Sequence, residues 1–196
     1  MPAAPTRHYR MSGAGDPGSD AVVAEMAQKL EDYTAVVRLV GVPDIPRAID
    51  ELLGDAHTVV VPRGLPQQWS AGAHGTSRVV TVDEPASPLS HDQLNRTDAV
   101  VTASRLGIAS TGTIVLDGEP DQGRRALSLV PDIHVCVLRA KDIYELVPEA
   151  IAVLGENPQR PTTWIAGPSA TSDIELVRVN GVHGPRNLRV VIVKDA

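Results

Sequence analysis

Four stretches carry residue types that could do chemistry, and two of them lie close together near the C-terminal end. Gly167-Pro168-Ser169-Ala170-Thr171-Ser172-Asp173-Ile174-Glu175 places three hydroxyls and two carboxylates after a sharp Gly-Pro turn. Ser172 and Glu175 have the Ser-x-x-Glu spacing of a helix-capping box, and unpaired N–H groups at a helix start suit an anion. Asp173 and Glu175 could bind a metal or exchange a proton. The same pair also fits a first helical turn, where carboxylates favour the helix dipole. Gly181-Val182-His183-Gly184-Pro185 then sets one titratable ring between two glycines. His183 would serve as a base if Asp173 were its partner, or would brace the turn through backbone hydrogen bonds.

Ser110-Thr111-Gly112-Thr113 combines a glycine with three hydroxyls just ahead of an apolar run. It reads either as close backbone approach to a ligand at Thr111, Gly112 and Thr113 or as a bend that needs glycine. Arg124, in Gln122-Gly123-Arg124-Arg125, could hold a carboxylate or phosphate in a bidentate contact, or lie on a solvated face. Cys136 is the one cysteine and sits within Ile133–Leu138, an apolar run, as a small buried residue. A single thiol cannot build a disulfide framework, a zinc ribbon or an iron–sulfur cluster within one chain. His57, His74, His91 and His134 lack metal-ligand spacing, and no phosphate-loop, Rossmann or nucleophile-elbow motif occurs.

Composition narrows the classes further. The chain has 196 residues, 42% of them hydrophobic, and a formal net charge of −6, with no Phe and only two Trp and three Tyr. That balance repels a phosphate backbone and offers few stacking surfaces, so nucleic acid is not expected as a partner. No apolar run reaches the length of a membrane span and no signal-peptide core is visible, so a reducing cytoplasm is the expected location.

The elements that must position these residues follow from periodicity. Residues 1–19 are rich in Gly, Pro, Ala and Ser and read as a mobile tail. The remainder, 20–196, reads as one domain with a helical lead-in over 20–54. Val23, Met26, Ala27, Leu30, Tyr33 and Val37 predict a helix from Asp20 to about Val40. Ile45, Ala48, Ile49 and Leu52 predict a second, over 44–53. Runs at 58–61, 78–82, 98–103, 113–116, 133–138 and 162–166 predict short buried strands, with a closing strand ending near Val193. Helices are predicted over 87–96, 122–129 and 141–154, the last kinked at Pro148, with a helical turn over 104–109. The loop 62–76 is long for a connection and is expected to hold one helical turn. Strands alternating with helices give an α/β fold, a single domain with a mostly parallel central sheet flanked by helices.

The compound motif Gly-Pro-Ser-x-Thr-x-Asp-Ile-Glu followed by Gly-Val-His-Gly-Pro resembles that of the lactate utilization protein C family, the LUD-domain proteins. Ala109-Ser110-Thr111-Gly112-Thr113 is similar to the family's Ala-Glu-Thr-Gly-Thr, with Ser110 in place of the acidic residue. Gln122–Arg125, Ser128–Pro131 and His134 also resemble the family pattern, and the likeness covers Asp98–Val193. It implies a fold similar to the ribose-5-phosphate isomerase, glucosamine-phosphate deaminase and CoA-transferase group. It further implies a cluster-free subunit that works with iron–sulfur partner proteins in oxidising L-lactate to pyruvate. The expected site then has His183 and Asp173 as acid–base residues. A small anionic metabolite would lie among Thr111, Gly112, Thr113, Arg124, Gly167, Ser169, Thr171, Glu175 and Gly184. Two other readings remain open: a free-standing enzyme on a phosphorylated or CoA-linked metabolite, and a sensing or scaffolding module without turnover. Without a carboxylate at Ser110, a CoA-transferase covalent intermediate has no donor at that position.

Overall fold

The β-branched runs assemble a six-stranded sheet in which every pairing is parallel. Its strands are β1 (Val36–Gly41), β2 (Thr58–Pro62), β3 (Val79–Asp83), β4 (Ala99–Ala103), β7 (Ile133–Arg139) and β12 (Asn187–Lys194), in the spatial order β1-β12-β7-β4-β2-β3. This is a computed structural model, and it describes residues 9–75, 77–171, 179–180 and 184–194. Alternation along β7 divides its side chains between two cores. Val135 and Val137 face α2 (Ile45–Leu53) and α3 (Gln67–His74). Cys136 and Leu138 face α1 (Asp20–Asp32) and a second sheet. That sheet runs β8 (Ile143–Tyr144), β5 (Leu106–Ile108), β6 (Thr113–Leu116), β9 (Thr163–Ile165), and α5 (Val147–Leu154) packs on its far side through Ala150. The short helix α4 (His91–Asn95) is capped by Ser90 and Gln93, and a two-residue ladder joins β10 (Ala170–Thr171) to β11 (Val179–Asn180).

The α/β fold and the mostly parallel sheet match the expectation; five local features differ. The first helix stops at Asp32, because Thr34 adopts φ 69° and the Ala35 and Thr34 N–H groups return to Leu30 O and Glu31 O at 3.0 and 2.8 Å. That pair of hydrogen bonds is a Schellman ending. The valines beyond it form edge strand β1, although Val37 continues the helical spacing. The second difference is at 104–109, where a strand replaces the expected helical turn: Leu106 pairs with Val115 and Ile108 with Thr113.

Third, residues 122–129 form turns and no helix. Gly123 has φ 70°, and the Gln122 Oε1 accepts from the Asp117 and Gly118 N–H groups at 2.7 and 3.2 Å. Fourth, Pro148 does not kink a helix over 141–154. It lies in the first turn of α5, where its missing N–H has no helical partner to lose, and a 3-10 turn with β8 precedes it. Fifth, the stretch 62–76 holds the eight-residue helix α3, longer than the single turn expected.

The leading segment is also tied down where it is described. Glu145 accepts from Arg10 Nη2 and from the Ala14 and Gly15 N–H groups at 2.7, 2.7 and 2.8 Å, and Gly18 N–H donates to Ile143 O at 3.0 Å.

Candidate functional site

The two late turns meet. Ser169 N–H donates to Pro185 O at 2.8 Å, and a Cβ on Gly184 would stand 3.5 Å from the Ser169 Cβ. A cleft of about 370 Å³ opens beside them, walled by Arg125, Ser128, His134, Trp164, Ser169 and Pro185. Gly167 also lines it, at φ 81°, and a Cβ there would stand 2.7 Å from the Tyr33 Cβ, so its glycine serves the packing under α1. His183, Asp173 and Glu175 lie outside the described residues. Thr171 is placed by its backbone, in the β10 ladder opposite Val179.

Two expected ligand-binding groups are engaged with the protein itself. Arg124 grips the buried Asp83 carboxylate with Nε and Nη2 at 2.9 and 3.0 Å and also donates to Leu89 O. That bidentate pair fastens the 117–130 segment to the end of β3. Gly112 has φ 59°, and a Cβ there would meet the Lys29 Cβ at 2.8 Å, so the turn is shaped by α1. The Thr111 and Thr113 hydroxyls bond each other at 2.8 Å. Thr113 is nevertheless close to the late turns, since Ile114 pairs with Ile165.

Two groups of the cleft were not among the expected site residues. Arg125 is exposed and makes no side-chain hydrogen bond or ion pair among the described residues, which leaves its guanidinium available to an anion. His134 is 1% exposed, its Nε2 lies 2.8 Å from Thr102 Oγ1, and burial drives its pKa down to about 4. The ring is therefore neutral at physiological pH and suits a hydrogen-bonding role. Cys136, two residues on, is fully buried and its thiol is pushed up to about 12, which keeps it protonated.

The cleft lies at the amino ends of β7 and β12, whose second residues, His134 and Leu188, line it. Open parallel sheets bind ligands at the opposite, carboxyl end, at the point where strand order reverses. That reversal falls between β2 and β4. A second cavity, of about 300 Å³, sits there among Gly64, Ser104, Arg105, Asp121 and Arg139. Sequence reasoning passed over these residues because no motif joins them; their shared signal is that Gly64, Ser104 and Arg105 closely follow strand ends and Arg139 is the last residue of one. Among the described residues no group of three His, Cys, Asp or Glu could hold a metal ion, and no helix is long and apolar enough to cross a membrane.

The chain shares 46% identity over 174 residues with lactate utilization protein C of Deinococcus radiodurans, spanning 88% of this chain and 79% of that one. With lactate utilization protein C of Bacillus subtilis it shares 32% over 101 residues, which is 48% of this chain and only 42% of the relative. The crystal structure of a DUF162-family protein from Deinococcus radiodurans superposes with a TM-score of 0.72 at 38% identity, covering 88% of this chain and 96% of that one. The LUD-domain family model matches residues 67–193. With well over half of its length under that model and near-half identity to a relative that it mostly spans, the chain belongs to the LUD-domain family, in its lactate utilization protein C group.

Proposed function

We propose that the chain is the cluster-free subunit of a cytoplasmic system that oxidises L-lactate to pyruvate, and that it binds a small anionic metabolite in the Ser169–Gly184 cleft. The 46% identity with a lactate utilization protein C carries the reading. The Arg125 guanidinium, unpaired among the described residues and beside Ser128 and Ser169, supports an anionic ligand, since unspent donors take a carboxylate in a bidentate contact. In this reading electrons pass through clusters in iron–sulfur partner proteins, and this chain, with its single buried cysteine, contributes none. His134 contributes a neutral ring to the cleft wall, and His183 with Asp173 would supply acid–base capacity from the adjoining turns.

The test is a lactate-dependent electron-transfer assay with the iron–sulfur partners, run with and without this chain and with His183→Ala and Arg125→Gln variants. Omission should lower the rate to the background of the partners alone. Arg125→Gln should raise the lactate concentration needed for half-maximal rate roughly tenfold, the loss expected for one charged hydrogen-bonding anchor. An unchanged rate on omission rejects the reading.

A further inference from the structure

The carboxyl-end cavity is built from segments that the sequence keeps far apart. Gly64 follows β2, Ser104 and Arg105 follow β4, and Arg139 ends β7, while the loop 117–123 lies across all three. That loop is pinned through its backbone: Gly64 N–H donates to Pro120 O and Ala103 N–H to Asp121 O, both at 3.0 Å. The anchoring uses the backbone, and among the described residues the Asp121 carboxyl is held only by its own N–H and the charge of Arg139. Its Oδ1 is shut off from solvent and has no hydrogen-bond partner among the described residues. A buried carboxyl oxygen in that state costs free energy, and such groups in clefts are frequent at functional sites.

The opposite wall is cationic. Arg139 donates no side-chain hydrogen bond among the described residues and lies with its Cζ 5.0 Å from the Trp69 ring centroid. Stacking fixes the plane of the guanidinium while its N–H donors stay unspent. Arg105 is only loosely held, with Asp117 at 3.7 Å and Glu156 at 3.5 Å. Glu119 and Asp117 share one cation, Arg160, which bonds both, and Asp142 adds a third carboxylate against the three arginines. Burial raises the Asp121 pKa, with Arg139 opposing and Glu119 and Asp117 reinforcing it. The surrounding charges nearly cancel, so a dianion would meet the carboxylates uncompensated, whereas a monoanion can take the unspent guanidinium of Arg139.

We propose that this cavity is a second binding site, for a small monocarboxylate bearing a hydroxyl or oxo group on the adjacent carbon. Arg139, with Arg105 beside it, takes the carboxylate, and the Asp121 carboxyl hydrogen-bonds the neighbouring oxygen. The volume, about 300 Å³, is at the small end of ligand pockets and suits such a molecule. The site stands independently of the Ser169 cleft and of any role in electron transfer.

The test is a chemical-shift titration of the isotopically labelled full chain with pyruvate, L-lactate, propionate and inorganic phosphate. Pyruvate or L-lactate should give saturable shifts at the amides of Gly64, Ser104, Arg105 and Gln122. Propionate, lacking the second oxygen, should bind several-fold more weakly, and phosphate should not saturate. Arg139→Gln should weaken binding roughly tenfold or more, as expected for a charged hydrogen-bond donor lost. Asp121→Asn, which preserves shape and the loop's backbone bonds, should shrink the preference over propionate. Spectra away from the cavity report whether each variant is folded. Absence of saturable shifts there, shifts confined to Arg125, Ser128 and Gly184, or phosphate binding as tightly as pyruvate would each overturn the proposal. So would full affinity in both variants.

Discussion

The two ends of the parallel sheet are built on opposite plans. At the amino end, a contiguous motif folds two turns onto each other, and the deepest polar group, His134, has a partner in Thr102. At the carboxyl end, residues scattered along the chain meet under one loop, and the half-buried Asp121 has a side-chain oxygen shut off from solvent with no partner among the described residues. His134, fully buried, and Asp121, half-buried, also titrate in opposing senses, because burial disfavours whichever form is charged. His134 is held below its ordinary range and Asp121 above it. A dense motif and a solvent-shut polar atom without a partner among the described residues are therefore different signals, and this chain shows them at opposite rims.

The largest expected effect tests the amino end. An unfolded histidine begins to protonate near 6.5, while folded His134 stays neutral until about 4. Stability is fully present above 6.5 and is lost as pH falls toward 4. The loss amounts to about 3 kcal/mol, since each tenfold difference in proton affinity between the folded and unfolded chain is worth about 1.4 kcal/mol. Denaturant unfolding at stepped pH, for the wild type and His134→Gln, isolates this share because the carboxylate contribution is common to both. An identical pH slope in the two proteins would show that His134 is not buried neutral.

Much of the architecture could be read from the chain, and the failures share a cause. The runs Val59–Val61 and Val135–Leu138 are apolar on both faces and form buried parallel strands as expected; Val79–Val82 also forms a parallel strand, but as the sheet's edge, with Val79 and Val82 exposed where burial was expected. Strand β1 was hidden because Tyr33 and Val37 extend the helical spacing of Val23, Met26 and Leu30, and only the left-handed turn at Thr34 separates Val37 from the helix. Gln122–Leu129 has helical composition, yet the Gln122 side chain satisfies the backbone of its own loop and Gly123 turns it. Tertiary partners decided both. For the site, spacing within Gly167–Pro185 was legible as a turn pair. The carboxylate that Arg124 binds was not, since Asp83 is distant in sequence. The carboxyl-end residues could be reached only by knowing the strand order.

A pair of glycines gives the next contrast. A Cβ on Gly64 would stand 2.3 Å from the backbone carbon of Pro120, so Gly64→Ala must push the 117–123 loop off the sheet. We expect a loss of about 2 kcal/mol, typical of overpacking, seen as a lower denaturant midpoint with unchanged slope. The corresponding change at the amino end, Gly184→Ala, puts a Cβ at ordinary contact distance from its neighbours among the described residues, 3.5 Å from the Ser169 Cβ and 3.9 Å from Leu129 Cδ2. It should stay within about 0.5 kcal/mol of wild type. Equal effects at the two positions would mean that the loop is not seated on the sheet as tightly as its two backbone bonds imply.

The smallest effect has the reverse sign. Asp121 has its pKa raised by burial, so its ionised form is disfavoured in the folded protein. That contribution is fully favourable below the ordinary carboxyl range and is lost as pH rises through the raised folded value. Asp121→Asn, which cannot ionise, should therefore melt slightly above the wild type at neutral pH, and the gap should close as the solution is acidified. Arg139 limits the gain, because it stabilises the carboxylate that the substitution removes; in an Arg139→Gln background the same substitution should gain more. A gap that instead widened on acidification would place Asp121 in a solvated, ion-paired setting and remove the difference between the two rims.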